Sequence, residues 1–300
     1  TTESAWHTSQ VPDAWPKMPP VRPDPQDPTW WRRDDGTFWY PLGANLRSPG
    51  DTRQDRVMVM ESAGKSPPRR DADVRSDPLP GWVSSQYERL GTVAFERWLH
   101  QFSAHGMNWA RVWMCPWWCG LEWRRDWDQF GGLGVYNQAS AARFDRVVSL
   151  AEQNGIRLQV ELQNHGMVGG TIDGKRTADS QWENSPYNRA LGGPCSSGAD
   201  YFRNQEAWKY NARRLRYTVA RWGYSTACAA WVLCSEMEFT GAWSEEARYD
   251  EDNGHSPTTQ AWVARSLAWF TENDPLRRPT SIHFSHPWAA RQLWQTPGLA

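Results

Sequence analysis

Two hydrophobic periods alternate along this chain. From about residue 91 onward, short apolar runs bounded by Gly, Asn or Pro recur between longer segments whose apolar residues fall three and four apart. Runs of the first kind read as buried strands, and segments of the second kind as amphipathic helices. The expected strands are WARVWMCP (109–116), IRLQVELQNHG (156–166), a segment around 229–235 and TSIHFS (280–285). The expected helices are 91–105, 139–153, 205–221 and 257–272. Asn154-Gly155 closes the second helix, and Pro275 stops the last one from continuing. Upstream, TWWRRDDGTFWYP places Asp-Gly between two aromatic runs, a hairpin signal, followed by a short strand near 38–43. Residues 47–88 are polar, broken by Pro and Gly, and read as a long loop.

Strand and helix alternate, with the long loops on the strand-to-helix side, which predicts a parallel α/β architecture. No G-x-G-x-x-G opens a helix after the first strand and no phosphate-binding G-x-x-x-x-G-K-[ST] occurs, so a nucleotide-binding sheet has no support. Loops swollen at the C-terminal ends of strands fit a TIM barrel, whose active site is built there. The fold expected is therefore α/β, a TIM (β/α)8-type barrel. About five βα units can be counted by residue 285 and eight are needed, so the barrel reads as incomplete.

Composition changes this picture only at the margins. Lys and Arg number 33 against 34 Asp and Glu, so charge gives no case for nucleic acid or a membrane surface as a partner. No apolar run approaches the roughly 20 residues of a membrane span. The opening residues, TTESAWHTSQVPDAWP, lack the basic start and apolar stretch of a signal peptide. An extracellular or periplasmic location is expected only if a parent chain carries one. The five cysteines contain no C-x-x-C pair. A Cys115–Cys119 disulfide would need an oxidising compartment, and buried thiols are the simpler reading. Tryptophan is the outlier, with 22 residues. Many belong to the core, but Trp117, Trp118, Trp123, Trp127, Trp182 and Trp243 sit in Gly- and Pro-punctuated loops. Flat indole faces in a cleft suit pyranose rings.

The candidate chemistry lies at the strand ends. The stretch WVLCSEMEFTG (231–241) runs from an apolar strand into two glutamates, Glu236 and Glu238, which share strand parity. The strand at 109–116 supplies Arg111 and, just beyond it, Trp117, Trp118 and Glu122. The next supplies Glu161, Asn164 and His165, and the last His283 and His286. His283 and His286 with a carboxylate could ligate zinc, but no H-E-x-x-H occurs and Pro287 follows directly. No G-x-S-x-G elbow supports a serine nucleophile. Carboxylate acid/base chemistry remains, since a Glu walled by apolar rings has its pKa raised by burial, as a general acid in glycoside hydrolysis requires.

From about Asp27 onward the chain resembles the TIM-barrel glycoside hydrolases of clan A, in the cellulase/mannanase-like group. The matching segments are DGTFWYPLGANLR (35–47), HGMNWARVWM (105–114), RFDRVVSLAEQNGIRLQVELQNHG (143–166), RRLRYTVARWGYSTACAAWVLCSEMEFTG (213–241) and NDPLRRPTSIHFSH (273–286). The resemblance implies a retaining hydrolase of β-glycosidic bonds in poly- or oligosaccharide, with a carbohydrate substrate and no cofactor or metal. It places the acid/base at Glu236, and Arg111, Trp117, Trp118, His165, Ser235, Glu238 and His283 around the sugar. The family asparagine before the acid/base is Ser235 here, a shorter side chain with fewer hydrogen bonds. The nucleophile belongs to a seventh strand, expected beyond residue 300, so the 300 residues alone are expected to be inactive. Residues 1–28 are expected to be a linker or the tail of an upstream β-sandwich, and 29–300 the N-terminal part of the barrel. A non-catalytic carbohydrate-binding or degenerate barrel protein is the alternative.

Overall fold

The computed structural model describes residues 18–300 apart from 48–91, 248–253 and positions 117, 128, 173 and 178. The loop expected at 47–88 therefore lies outside the described residues from residue 48 on.

A small antiparallel sheet comes first, made of β1 (Val21–Pro23), β2 (Trp31–Arg33) and β3 (Phe38–Trp39). The hairpin expected around Asp35-Gly36 is β2–β3, with the Asp35 carboxylate accepting from Thr37 N at 2.9 Å. Residues 18–28, expected within a linker, are partly built into the domain: β1 pairs with β2, and Arg157 donates to the Pro19 carbonyl. Aromatic packing is the reason. Trp31, Trp39 and Trp109 pack with ring centroids 5.6–6.0 Å apart, and Val21 and Ala229 are buried with them.

The main sheet holds five strands, all parallel: β4 (Gly43–Arg47), β5 (Trp109–Trp113), β6 (Arg157–Glu161), β9 (Cys228–Val232) and β10 (Thr280–Ser281). A two-stranded hairpin, β7 (Thr171–Ile172) and β8 (Lys175–Arg176), interrupts the excursion between β6 and β9. Each strand of the main sheet pairs with the next in sequence. A doubly wound sheet reverses its strand order at a switch point. A monotonic order keeps every connection moving the same way, as in a barrel wall. Among the described residues the wall has five strands and does not close on itself.

The helices are α1 (Thr92–Ala104), α2 (Gln138–Asn154), α3 (Gly198–Arg203), α4 (Gln205–Trp222), α5 (Gly241–Glu246), α6 (Pro257–Asn273) and α7 (Arg291–Trp294). The four long ones fall where the apolar period predicts them. Their ends carry ordinary signals. Asn137, Asn204 and Ser256 cap the starts of α2, α4 and α6 through side-chain oxygens. Gly155, at φ +68°, ends α2 with N–H bonds to Ala151 and Glu152 carbonyls. The strands are shorter than the apolar runs that predicted them. Met114, Leu162, Leu233 and Cys234 lie past the last ladder residues but are still buried, because the mouth of the wall is covered by its own loops.

One ion pair ties the foot of β9 to the end of α6. Arg278 pairs with Asp274 and donates to the carbonyls of Cys228, Gly223 and Ser225. Asp274 also accepts from Trp231 Nε1 at 2.9 Å. Both residues are under a tenth exposed. Breaking such a pair from one side strands a buried charge. Asp274→Ala is expected to lower unfolding free energy by about 3–5 kcal/mol, measured by urea titration of tryptophan fluorescence. Adding Arg278→Met should recover part of that loss. A double variant no more stable than Asp274→Ala would show that the stranded cation is not the cause.

Candidate active site

The register of β5, β6 and β9 builds the site. Arg111 lies opposite Gln159, Trp113 opposite Glu161, and Glu161 opposite Val232. Side chains alternate faces along a strand, so Arg111, Trp113, Gln159 and Glu161 share one face of the wall. Ala110, Val112, Leu158 and Val160, of the other parity, are fully buried in the core. On the shared face the Arg111 guanidinium pairs with Glu161 and lies 5.2 Å from the Trp113 ring centroid, a favourable position for a cation. Removal from water pushes the Glu161 carboxyl up to about 7; Arg111 and the nearby Ser235 hydroxyl oppose the rise, and Glu236 adds to it.

Beyond β9 the chain turns sharply. Ser235 N donates to the Gln163 carbonyl at 3.0 Å, tying this tip to the one beside it. Ser235 Oγ lies 3.3 Å from His165 Nδ1 and accepts from His165 N at 3.4 Å. Glu236 adopts φ 44°, ψ 58°, the left-handed region that side chains other than glycine rarely occupy. Its N–H donates to His283 Nδ1 at 3.2 Å, and Met237 N donates to the His283 carbonyl at 2.9 Å. An accepting Nδ1 means a neutral His283 with its proton on Nε2. Burial, with Arg111 and His165 nearby, lowers the His283 pKa to about 4. Glu236 Oε2 lies 3.0 Å from His165 Nδ1.

Solvent separates the three carboxylates. The side chains of Glu161 and Glu238 are 1% exposed, and that of Glu236 is 27% exposed. Strand parity had put Glu236 and Glu238 on one face. That inference fails because β9 ends at Val232 and Met237–Phe239 form a single 3₁₀ turn. Glu238 turns inward, accepts from Ser285 N at 2.6 Å and faces His286 Nδ1 at 3.8 Å. It braces the loop after β10 and does not line an open cleft, contrary to its expected substrate-binding role.

Trp118 was expected against the sugar and is a core residue. Its ring stacks on Phe95 at 5.5 Å and 7°, leaving 6% exposed. Trp123 and Trp243 are buried as well. Trp243 lies in α5, and the loop of Trp118 and Trp123 folds back onto the wall, so burial claims these indoles. Trp117 lies outside the described residues. Arg111, His165, Ser235, Glu236 and His283 are brought together. Among the described residues no cluster of three or more His, Cys, Asp or Glu is arranged to hold a metal, and the five cysteines are buried thiols.

Two features were not picked out from the sequence. Phe239 packs its ring 5.5 Å from that of His165. Gln163 Oε1 accepts from Tyr201 OH at 2.9 Å and from Arg214 Nη2 at 2.5 Å, stiffening the tip from below. The second left a signal, since Arg214 occupies the buried stripe of α4 with Ala207, Asn211, Leu215 and Thr218.

No protein-family model matches the chain, and no curated protein sequence does. Solved structures match its fold. A single-residue mutant of the glycoside hydrolase family 5 mannosidase from Rhizomucor miehei superposes with a TM-score of 0.51 at 13% identity, over 93% of this chain and 60% of that one. The endo-1,4-β-mannanase from Rhizomucor miehei gives 0.49 at 12% identity, over 84% of this chain and 58% of that one. For the putative glycoside hydrolase from Bacteroides vulgatus the values are 0.48 and 13%, over 96% of this chain and 42% of that one. The chain thus spans 60% or less of the length of these three. At such identity the likeness is one of fold alone, the α/β barrel fold shared with the family 5 mannosidase.

The state of His283 has a thermodynamic consequence. Its folded pKa lies below the ordinary 6.5, so between pH 6.5 and about 4 the unfolded chain binds a proton that the folded one refuses. Stability is lost as pH falls through that window. His283→Asn keeps an acceptor for Glu236 N and removes the titration. Its melting temperature should fall less than that of the unmodified protein between pH 7 and 4. Parallel melting curves across that range would contradict the assignment.

Proposed function

We propose that these residues form the acid/base half of a retaining glycosidase site acting on β-linked poly- or oligosaccharide, with Glu236 as proton donor. The observation that carries this reading is the contrast in exposure. Glu236 is the one carboxylate of the cluster that reaches solvent, and both its backbone and its side chain are fixed by histidines. In the first step Glu236 gives its proton to the departing glycosidic oxygen as that C–O bond breaks. In the second it takes a proton from the water that attacks the anomeric carbon. His165, in contact with Oε2, orients the carboxyl group, and Arg111 supplies positive charge beneath the reacting centre. The mechanism requires a second carboxylate about 5–5.5 Å away as nucleophile. The names of the structural relatives make β-1,4-mannosides the first substrates to test.

One observation favours a non-catalytic carbohydrate-binding protein. Ser235 is fully buried and its hydroxyl is engaged by His165, so it offers a sugar nothing. The two readings part on Glu236→Gln in the natural full-length protein. Hydrolysis of substrates with poor leaving groups should fall by at least about 100-fold, with turnover of an activated aryl glycoside restored by azide. Glu238→Gln should lower the melting temperature more than the rate. Near-normal turnover by Glu236→Gln, or a larger catalytic loss in Glu238→Gln, would overturn the assignment. Glycan binding without turnover in the unmodified protein would favour the second reading.

A further inference from the structure

Glu161 takes no part in the chemistry described above, yet it is almost wholly enclosed beside the site. It closes β6 on the face shared with Arg111, 1% exposed. One oxygen, Oε2, pairs with Arg111 Nη2, while Oε1 is sealed from water without a hydrogen bond. The Ser235 hydroxyl is near enough to favour the ionised form, but its contacts of 3.3–3.4 Å go to His165. His165 in turn touches Glu236 at 3.0 Å. A continuous path thus runs from Arg111 through Glu161, Ser235 and His165 to Glu236, with Glu161, Ser235 and His165 buried along it.

We propose that Glu161 is a positioning residue that holds the Arg111 guanidinium and is electrostatically coupled to Glu236 across Ser235 and His165. Two carboxylates that share a poorly hydrated site raise each other's proton affinity. An ionised Glu161 therefore helps to keep the proton on Glu236. A protonated Glu161 loses its charge-pair with Arg111 and leaves that cation to other anions at the mouth of the barrel. The groups that set the balance come from every neighbouring element: Arg111 from β5, His165 after β6, Cys234 and Glu236 after β9, and His283 after β10. Burial carries the Glu161 midpoint into the neutral range, where small changes in Glu236 are felt most. The catalytic consequence rests on Glu236 being the proton donor. The coupling itself does not.

The test follows the carboxyl carbons of 13C-labelled glutamate by NMR between pH 4 and 9, assigning signals with Glu161→Gln and Glu236→Gln. Glu161 should titrate near neutrality. Its midpoint should drop by on the order of one unit, a tenfold fall in proton affinity, in Glu236→Gln. The Glu236 midpoint should drop by the same amount in Glu161→Gln, because coupling is reciprocal. Should Glu161→Gln fail to fold, the Glu236→Gln titration decides alone, since that group is solvent-facing. A Glu161 signal ionised throughout, or unmoved by Glu236→Gln, overturns the proposal. In the full-length protein, Glu161→Gln should also move the alkaline limb of kcat/KM to lower pH with KM little changed. A purely structural role would lower the rate at every pH and leave the limb in place. Coupled titrations without any limb shift would support the coupling and count against Glu236 as the acid.

Discussion

Arg111 and Glu161 meet where neither ion could remain alone. The guanidinium lies beside a tryptophan ring and the carboxylate is almost wholly enclosed. Burying a lone charge costs several kcal/mol, and a pair recovers that cost only with good geometry. The pair spans adjacent strands with a two-residue offset, which a parallel ladder permits because residues of one parity share a face. Everything above it is arranged with respect to this neutralised base. Above it lie Ser235, His165 and a neutral His283, and Glu236 is the carboxylate of this group that meets solvent.

The exposed carboxylate is held by its surroundings and not by a strand. A non-glycine residue in the left-handed region costs on the order of 1–3 kcal/mol and persists only when neighbours over-determine it. Here the N–H groups of three successive residues are all engaged: Ser235 to Gln163, Glu236 to His283 Nδ1 and Met237 to the His283 carbonyl. Close backbone approach completes the restraint. A Cβ on Gly170 would sit 2.6 Å from Gly241 Cα, and one on Gly241 would sit 2.2 Å from Ala199 N. The loop after β6 and the short helix after the turn therefore pack backbone to backbone. Thr177 Oγ1 adds a hydrogen bond to the Phe239 carbonyl at 2.7 Å. Two long excursions, each alone poorly determined, are fixed by each other.

This division explains which parts could be read from the sequence. The four long helices follow from the 3.6 period of their apolar faces and the strands from short apolar runs, and Gly155 and Pro257 mark helix ends by local chemistry. The strand boundaries were overestimated because Leu162, Leu233 and Cys234 are apolar for a tertiary reason: the covered mouth buries them without a ladder. Residues 1–28 were read as a linker or the tail of an upstream β-sandwich, and the pairing of Val21–Pro23 was missed because a three-residue edge strand has no period to detect and its packing partners, Trp39 and Ala229, are distant in sequence. Arg111, His165, Ser235 and Glu236 were expected near one another from the family pattern, and they do lie together, Arg111 within β5 and the other three beyond strand ends. Trp118 was misassigned because a loop indole and a core indole look alike until a partner such as Phe95 is known.

The three glutamates illustrate how one side chain acquires three roles from its environment. Glu238 Oε1 accepts from the Ser285 N–H at 2.6 Å and thereby becomes part of the scaffold. Glu161, dry and beside a cation, holds a charge in place. Glu236 differs from Glu238 by two residues, but the left-handed turn between β9 and the 3₁₀ segment sends the two in different directions. A serine at position 235 fits this division, because a hydroxyl is small enough to be fully buried between the tips while still meeting His165. The imidazole that touches Glu236 is thus met from beneath by Ser235, so the residue at 235 bears on the support of Glu236 and not on its place on the wall.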